Sequence, residues 1–213
     1  MGKRKRAFAS VLFFVTFIVW TLIVCFVDVK EIGPHDTSVG LASMNGWFRE
    51  IVGVNMFLYT LTDWLSIIPL GVAFCFAVAG FVQLCKRKSL LKVDRSILFL
   101  GAFYVATITS YIFFEFVVIN YRPILIDGYL EASYPSSTTV LVLCVMSTLV
   151  IWLKNRMKKG ALCTVILSFV AVFGIFMLVG RIISGVHWLS DIIGGILISI
   201  SLITAYSATV NKD

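Results

Sequence analysis

The chain has 213 residues, 60% of them hydrophobic and only 14% charged, a balance that excludes an ordinary soluble globular domain. Its formal charge of +7 would suit nucleic acid, but the Lys and Arg residues sit between apolar runs rather than on one patch, so no nucleic-acid partner is expected. These proportions imply an all-α, polytopic membrane protein: a six-transmembrane-helix bundle forming one integral-membrane domain over 1–213.

The first apolar stretch, about 8–27, follows Met-Gly-Lys-Arg-Lys-Arg. It exceeds the roughly 7–15 residues of a cleaved signal core and lacks a small-x-small site, so it reads as a retained signal-anchor. The loop after it contains "IGPHDTS", where His35 reads as a solvated loop histidine. From Leu41 to Ile51 the apolar residues share one helical face, which predicts a short interfacial helix after helix one. The second stretch, 56–85, carries Asp63, which either pairs with Arg122 or Arg181 or lies near the outer interface.

The third stretch, 97–119, leads into "EFVVINYRPILIDGYLEASYPSSTT". If its helix persists to Tyr121, Glu115 and Arg122 are two turns apart on one face. Pro123 ends that helix by disfavouring the α region at Arg122, and "ILIDG" supplies a turn. The fourth stretch, 136–153, is expected to begin with Pro135 at its first position, placing Ser136, Ser137 and Thr138 in the first turn. Such an N-terminus is either an anion site or an ordinary N-cap. The fifth and sixth stretches, 161–179 and 189–208, flank "GRIISGVHWLSD", with Arg181 before the turn and His187 and Asp191 four apart. The five cysteines show no metal-binding or disulfide spacing and read as packing residues.

Threading six helices from a cytoplasmic N-terminus puts fourteen of the eighteen Lys and Arg residues, Lys212 among them, on the cytoplasmic side. Only Lys30, Arg49, Arg122 and Arg181 fall outside, the asymmetry of the positive-inside rule. Both termini are then cytoplasmic, and the three polar clusters share the outer face. With its short loops, the chain suits a multi-pass protein of a bacterial plasma membrane. Arg122 and Arg181 suit bidentate contact with phosphate oxygens, and a helix N-terminus adds donors. His187, oriented by a hydrogen bond from its imidazole to Asp191, can attack phosphorus through its other nitrogen. No metal ligand set stands out and no cofactor is called for; the guanidinium groups would supply the electrostatics.

These elements resemble the signature of the type 2 phosphatidic-acid phosphatase superfamily, six-helix membrane enzymes that dephosphorylate lipid phosphates without metal. The family pattern is Lys-x6-Arg-Pro, then Pro-Ser-Gly-His, then Ser-Arg-x5-His-x3-Asp. Here the first element is Glu115-x6-Arg122-Pro123 and the second Pro135-Ser136-Ser137-Thr138. The third, Gly180-Arg181-x5-His187-x3-Asp191, is the closest match. The resemblance, from about residue 50 onward, implies that His187 becomes phosphohistidine and Asp191 orients it. It also implies that Arg122, Arg181, Ser136 and the following turn hold the phosphate of a membrane lipid. Two positions depart from the pattern: Glu115 replaces a lysine, and Thr138 replaces the histidine that protonates the leaving group.

A lipid diphosphate expels a phosphate and tolerates the missing acid; alternatively Glu115 is the acid. A non-catalytic lipid-phosphate binder and a small transporter are the competing readings. The two halves lack the matching hydropathy that a transporter of inverted repeats would show.

Overall fold

The computed structural model describes residues 2–210, so Lys212 lies outside the described residues. Helix α1 spans Lys3–Phe26 and is followed by a two-stranded antiparallel hairpin, β1 Lys30–Glu31 with β2 Ser38–Val39. Then come α2 Ala42–Val52, α3 Met56–Leu65, α4 Ile67–Arg87, α5 Arg95–Phe116, α6 Ser137–Arg156, α7 Ala161–Ser184 and α8 Leu189–Val210. Among the described residues, six spans are long and apolar enough to cross a bilayer, with α3 and α4 together forming the second. In α1 and in the α3–α4 span only 11% of the apolar window is buried inside the protein. Side chains such as Phe8, Phe81, Leu162 and Phe169 point outward, as they do where hydrocarbon is the solvent. The chain is a multi-pass membrane protein.

Two expected boundaries moved. The second stretch is split at Ser66, because Pro69 has no N–H to give to the carbonyl four residues back. There the Ser66 hydroxyl donates to the Thr62 carbonyl at 2.9 Å. The third helix ends at Phe116 rather than at Tyr121, so Glu115 and Arg122 do not share a helical face. Val117, Val118 and Ile119 are β-branched and favour extended backbone, and the chain enters a hairpin instead. Its turn is Asp127-Gly128 with both φ values positive, the Asp-Gly signature of a tight hairpin. The predicted "ILIDG" turn therefore closes a β-hairpin rather than a plain loop.

α1 lies along α8, joined by reciprocal bonds: the Ser10 hydroxyl donates to the Ser201 carbonyl at 2.9 Å, and Ser201 returns the contact at 3.0 Å. Phe17 of α1 stacks on Tyr134 and meets Phe114 edge-on at 5.8 Å, which closes the core around the hairpin's exit. At Gly194 a Cβ would come within 2.6 Å of the Tyr134 ring, so only glycine admits that contact. On the other side, α3 meets the end of α7. Gly185 ends α7 in the left-handed conformation, and a Cβ there would strike the Gly53 carbonyl oxygen at 1.8 Å. The Asn55 N–H donates to the Ser184 carbonyl at 2.9 Å, which sets Tyr59 and Asp63 of α3 against the last turn of α7.

Candidate active site

The hairpin register builds the first half of the site. The Ser133 N–H donates to the Asn120 carbonyl at 2.9 Å, and the Arg122 N–H donates to the Glu131 carbonyl at 3.0 Å. Because alternate residues of an extended strand share a face, Asn120 and Arg122 project together, as do Glu131 and Ser133. Pro123 holds Arg122 in the extended region this requires. The Arg122 Nε lies 2.9 Å from the Glu131 carboxylate, and its guanidinium sits over the Tyr59 ring at 5.8 Å.

The second half comes from the α7–α8 junction. Arg181 lies in the last turn of α7 with 1% of its surface exposed. Its Nη2 donates to Asp63 at 3.0 Å and also to the Thr138 hydroxyl. The guanidinium lies 4.9 Å from the centre of the Tyr59 ring, so one aromatic ring underlies both arginines. Among the described residues, its Nε and Nη1 are buried without a hydrogen-bond partner. Asp63 thus takes the first of its two expected places, paired with Arg181.

His187 is 2% exposed and precedes α8, so helical one-turn spacing does not govern its relation to Asp191. The expected direct bond between them is replaced by a bridge. His187 Nδ1 lies 2.9 Å from the Ser133 hydroxyl, which donates to Asp191 Oδ2 at 2.6 Å. The Asn120 amide donates to Asp191 Oδ1 at 2.9 Å and the Trp188 N–H to Oδ2 at 3.1 Å. The last contact is the return bond of a capping box, so Asp191 also starts α8. On the far side of the imidazole, Arg122 Nη1 donates to His187 Nε2 at 3.2 Å. Burial, reinforced by Arg122 and Arg181, holds the His187 imidazole well below its ordinary range, so it is neutral at pH 7.

The first turn of α6 is placed differently from expectation. Ser136 is the N-cap residue and Pro135 precedes it, so Ser137 opens the helix. The N–H and the hydroxyl oxygen of Ser136 are engaged within the protein. Its N–H donates to the Asp191 carbonyl at 3.1 Å, and its hydroxyl accepts from Thr139 at 3.0 Å. Thr138 reaches the cluster through Arg181, and Ser137 lines a neighbouring cavity. That cavity, about 470 Å³, lies between α4, α5 and α6. Its apolar lining includes Leu70, Ile108, Phe114, Val140 and Leu141, and its polar lining includes Glu115, Arg122, Glu131, Ser133 and Thr138. His35 stands exposed in the segment between β1 and β2.

The structure therefore gathers Arg122, Arg181, His187, Asp191 and Thr138 into one buried cluster, with Glu115 and Ser137 along the adjoining cavity. Sequence reasoning missed Tyr59, Asn120, Glu131 and Ser133. For the last three, the available signal was Asp-Gly between two short apolar segments, from which the hairpin pairing follows by counting outward.

Residues 99–213, more than half of the chain, match the family model described as the PAP2 superfamily. The chain belongs to that superfamily, the group whose signature its three motifs resemble. Its fold is similar to a solved structure described as the first transmembrane PAP2 type phosphatidylglycerolphosphate phosphatase, from Bacillus subtilis. The two share 14% identity over 94% of each chain, with a TM-score of 0.56. No curated protein sequence matches the chain. Membership and fold together support a phosphatase-type function at the level of the family.

Proposed function

We propose that the chain is a lipid phosphatase or phosphotransferase that forms a phosphohistidine on His187, at the extracytoplasmic face of a bacterial plasma membrane. One observation carries this reading. A neutral imidazole whose Nε2 faces Arg122 lies beside a second arginine, Arg181, whose buried Nε and Nη1 lack partners. Buried N–H donors of a cation call for an anion, and phosphate offers the matching oxygens. The amphipathic cavity beside Arg122 suits the tail of a lipid. The four-to-fourteen division of basic residues supports the outer face.

In the first step the Nε2 lone pair forms the N–P bond as the bridging P–O bond breaks, and its electron pair leaves with the oxygen. The ring becomes an imidazolium that keeps its Nδ1 proton, while both arginines face the charge on the phosphoryl oxygens. Water, or an alcohol in a transferase, then attacks phosphorus. The N–P pair returns to Nε2; both protons of an attacking water leave with the phosphate, or the single proton of an alcohol with the phosphate ester.

Thr138 supplies no acid at the leaving group, which ranks the substrates. A diphosphate expels a phosphate whose second pKa is about 6. A monophosphate must expel an alkoxide, near the basicity of hydroxide from water of pKa about 15.7. Phosphate release from farnesyl diphosphate should therefore exceed release from phosphatidic acid, and Thr138→His should raise the second selectively, toward the lower part of the roughly 10²–10⁴-fold range of general acids. His187→Ala should abolish both. Loss of both activities in Glu115→Gln would instead make Glu115 the acid. Binding of either lipid without release by the wild type would favour a non-catalytic binder on the same scaffold.

A further inference from the structure

We infer that Ser133 is a positioning residue of the reaction, an obligatory hydroxyl bridge through which Asp191 orients and stabilises the His187 imidazole. The inference rests on the phosphohistidine reading above, and it departs from the direct histidine–aspartate bond that the third motif implies.

An ionised carboxylate has about four acceptor sites. Asp191 fills four: Asn120 at 2.9 Å and Ser190 at 3.3 Å on Oδ1, Ser133 at 2.6 Å and the Trp188 N–H at 3.1 Å on Oδ2. No site remains for the imidazole. The Ser133 hydroxyl has one proton and directs it to the carboxylate, which can only accept. Its oxygen then faces His187 Nδ1 at 2.9 Å as an acceptor. Nδ1 must therefore carry the ring's proton, leaving the Nε2 lone pair toward Arg122, on the side where phosphorus is to arrive. Once Nε2 bonds phosphorus, the ring's positive charge polarises the chain Nδ1–H to Ser133 to Asp191, and each bond strengthens the next.

Ser133 has no freedom to leave this position. It is 2% exposed, and its N–H is fixed to the Asn120 carbonyl by the hairpin register. Asn120 donates to the other oxygen of the same carboxylate, so one rung of the hairpin supplies both partners that set Asp191. Without the hydroxyl, Nδ1–H is buried with no acceptor, and the ring is free to tilt away from in-line attack.

The test uses full-length protein in detergent micelles with farnesyl diphosphate as the probe. Ser133→Ala should lower kcat about 10²-fold, the scale on which a small misplacement of a reacting group is felt, with KM little changed. Ser133→Thr, which keeps the hydroxyl, should restore most of the rate. A second readout does not depend on turnover. The chain has two histidines, so ¹⁵N-histidine labelling resolves His187 against the exposed His35. In the wild type, and in Ser133→Thr, the Nδ1 proton of His187 should exchange slowly; in Ser133→Ala it should be lost to exchange. Wild-type kcat together with a slowly exchanging Nδ1 proton in Ser133→Ala would overturn the bridge. So would equal impairment of Ser133→Ala and Ser133→Thr, which would make side-chain shape rather than the hydroxyl decisive. Persistent turnover in His187→Ala would instead sink the phosphohistidine reading, while the exchange measurement still judges the bridge.

Discussion

The two ends of the helical bundle both carry charge, and they treat it in opposite ways. At the end formed by the loops before β1, α3, α6 and α8, Arg181, His187 and Asp191 are almost wholly buried, His187 and Asp191 joined through Ser133 and Arg181 held by Asp63 and Thr138. At the other end, Arg87 and Arg156 converge on Asp94 at 3.0 and 3.5 Å with side chains 33–49% exposed. Exposed pairs of this kind hold loops in place cheaply and contribute little. Burying a guanidinium and an imidazole is costly unless each polar atom is engaged, and at the first end Arg181 leaves two atoms unengaged. The difference teaches where to look for chemistry: on the proposed reading, the reacting end is the one where a buried arginine beside a buried imidazole leaves two donors open.

Three measurements would break or sharpen that contrast. The largest effect should follow Arg181→Ala. It removes the unengaged donors and frees Asp63, and kcat on farnesyl diphosphate should fall about 10²–10³-fold, as when a donor to a developing oxyanion is lost. A smaller, graded effect should come from pH. The His187 imidazole is held below its ordinary value of about 6.5, so the acid limb of kcat/KM for the free enzyme should lie below that pH. Stability should follow the same group. Above about pH 6.5 neither state binds the proton; below it the unfolded chain takes a proton that the folded site refuses, so stability falls until the folded imidazole also titrates. Thermal unfolding of the wild type and of His187→Gln from pH 7.5 to 5 isolates this contribution, and the same pH dependence in both would contradict the burial of His187. The smallest effect should be that of Asp94→Asn. Phosphate release should be unchanged and the unfolding midpoint only slightly lowered, although three groups lose a charged partner.

The legible and illegible parts of the sequence divide along the same line. Six spans could be read because hydrocarbon imposes length and apolarity on each helix. Arg181, His187 and Asp191 could be read because they lie close together in the chain. The end of α5 could not: Val117, Val118 and Ile119 extend the apolar run whether helical or extended, so hydropathy is blind to the change of backbone. With that boundary open, a shared helical face for Glu115 and Arg122 could be entertained, and the pairing of Asn120 with Ser133 stayed hidden. The His187–Asp191 bond was inferred from a four-residue spacing that has meaning only inside a helix, and His187 lies just before one. Tyr59 carries no mark at all, since an aromatic residue in an apolar span reads as packing until two guanidinium groups are found above it.

Asp191 also makes the return bond that starts α8. Its carboxylate therefore has two employers, the helix and the imidazole. A descendant of this chain that abandoned turnover would still need the aspartate to begin its last helix, whereas His187 would be released to drift. On the phosphohistidine reading, the aspartate would persist for architecture even where turnover is gone, so its presence alone would not mark a working copy.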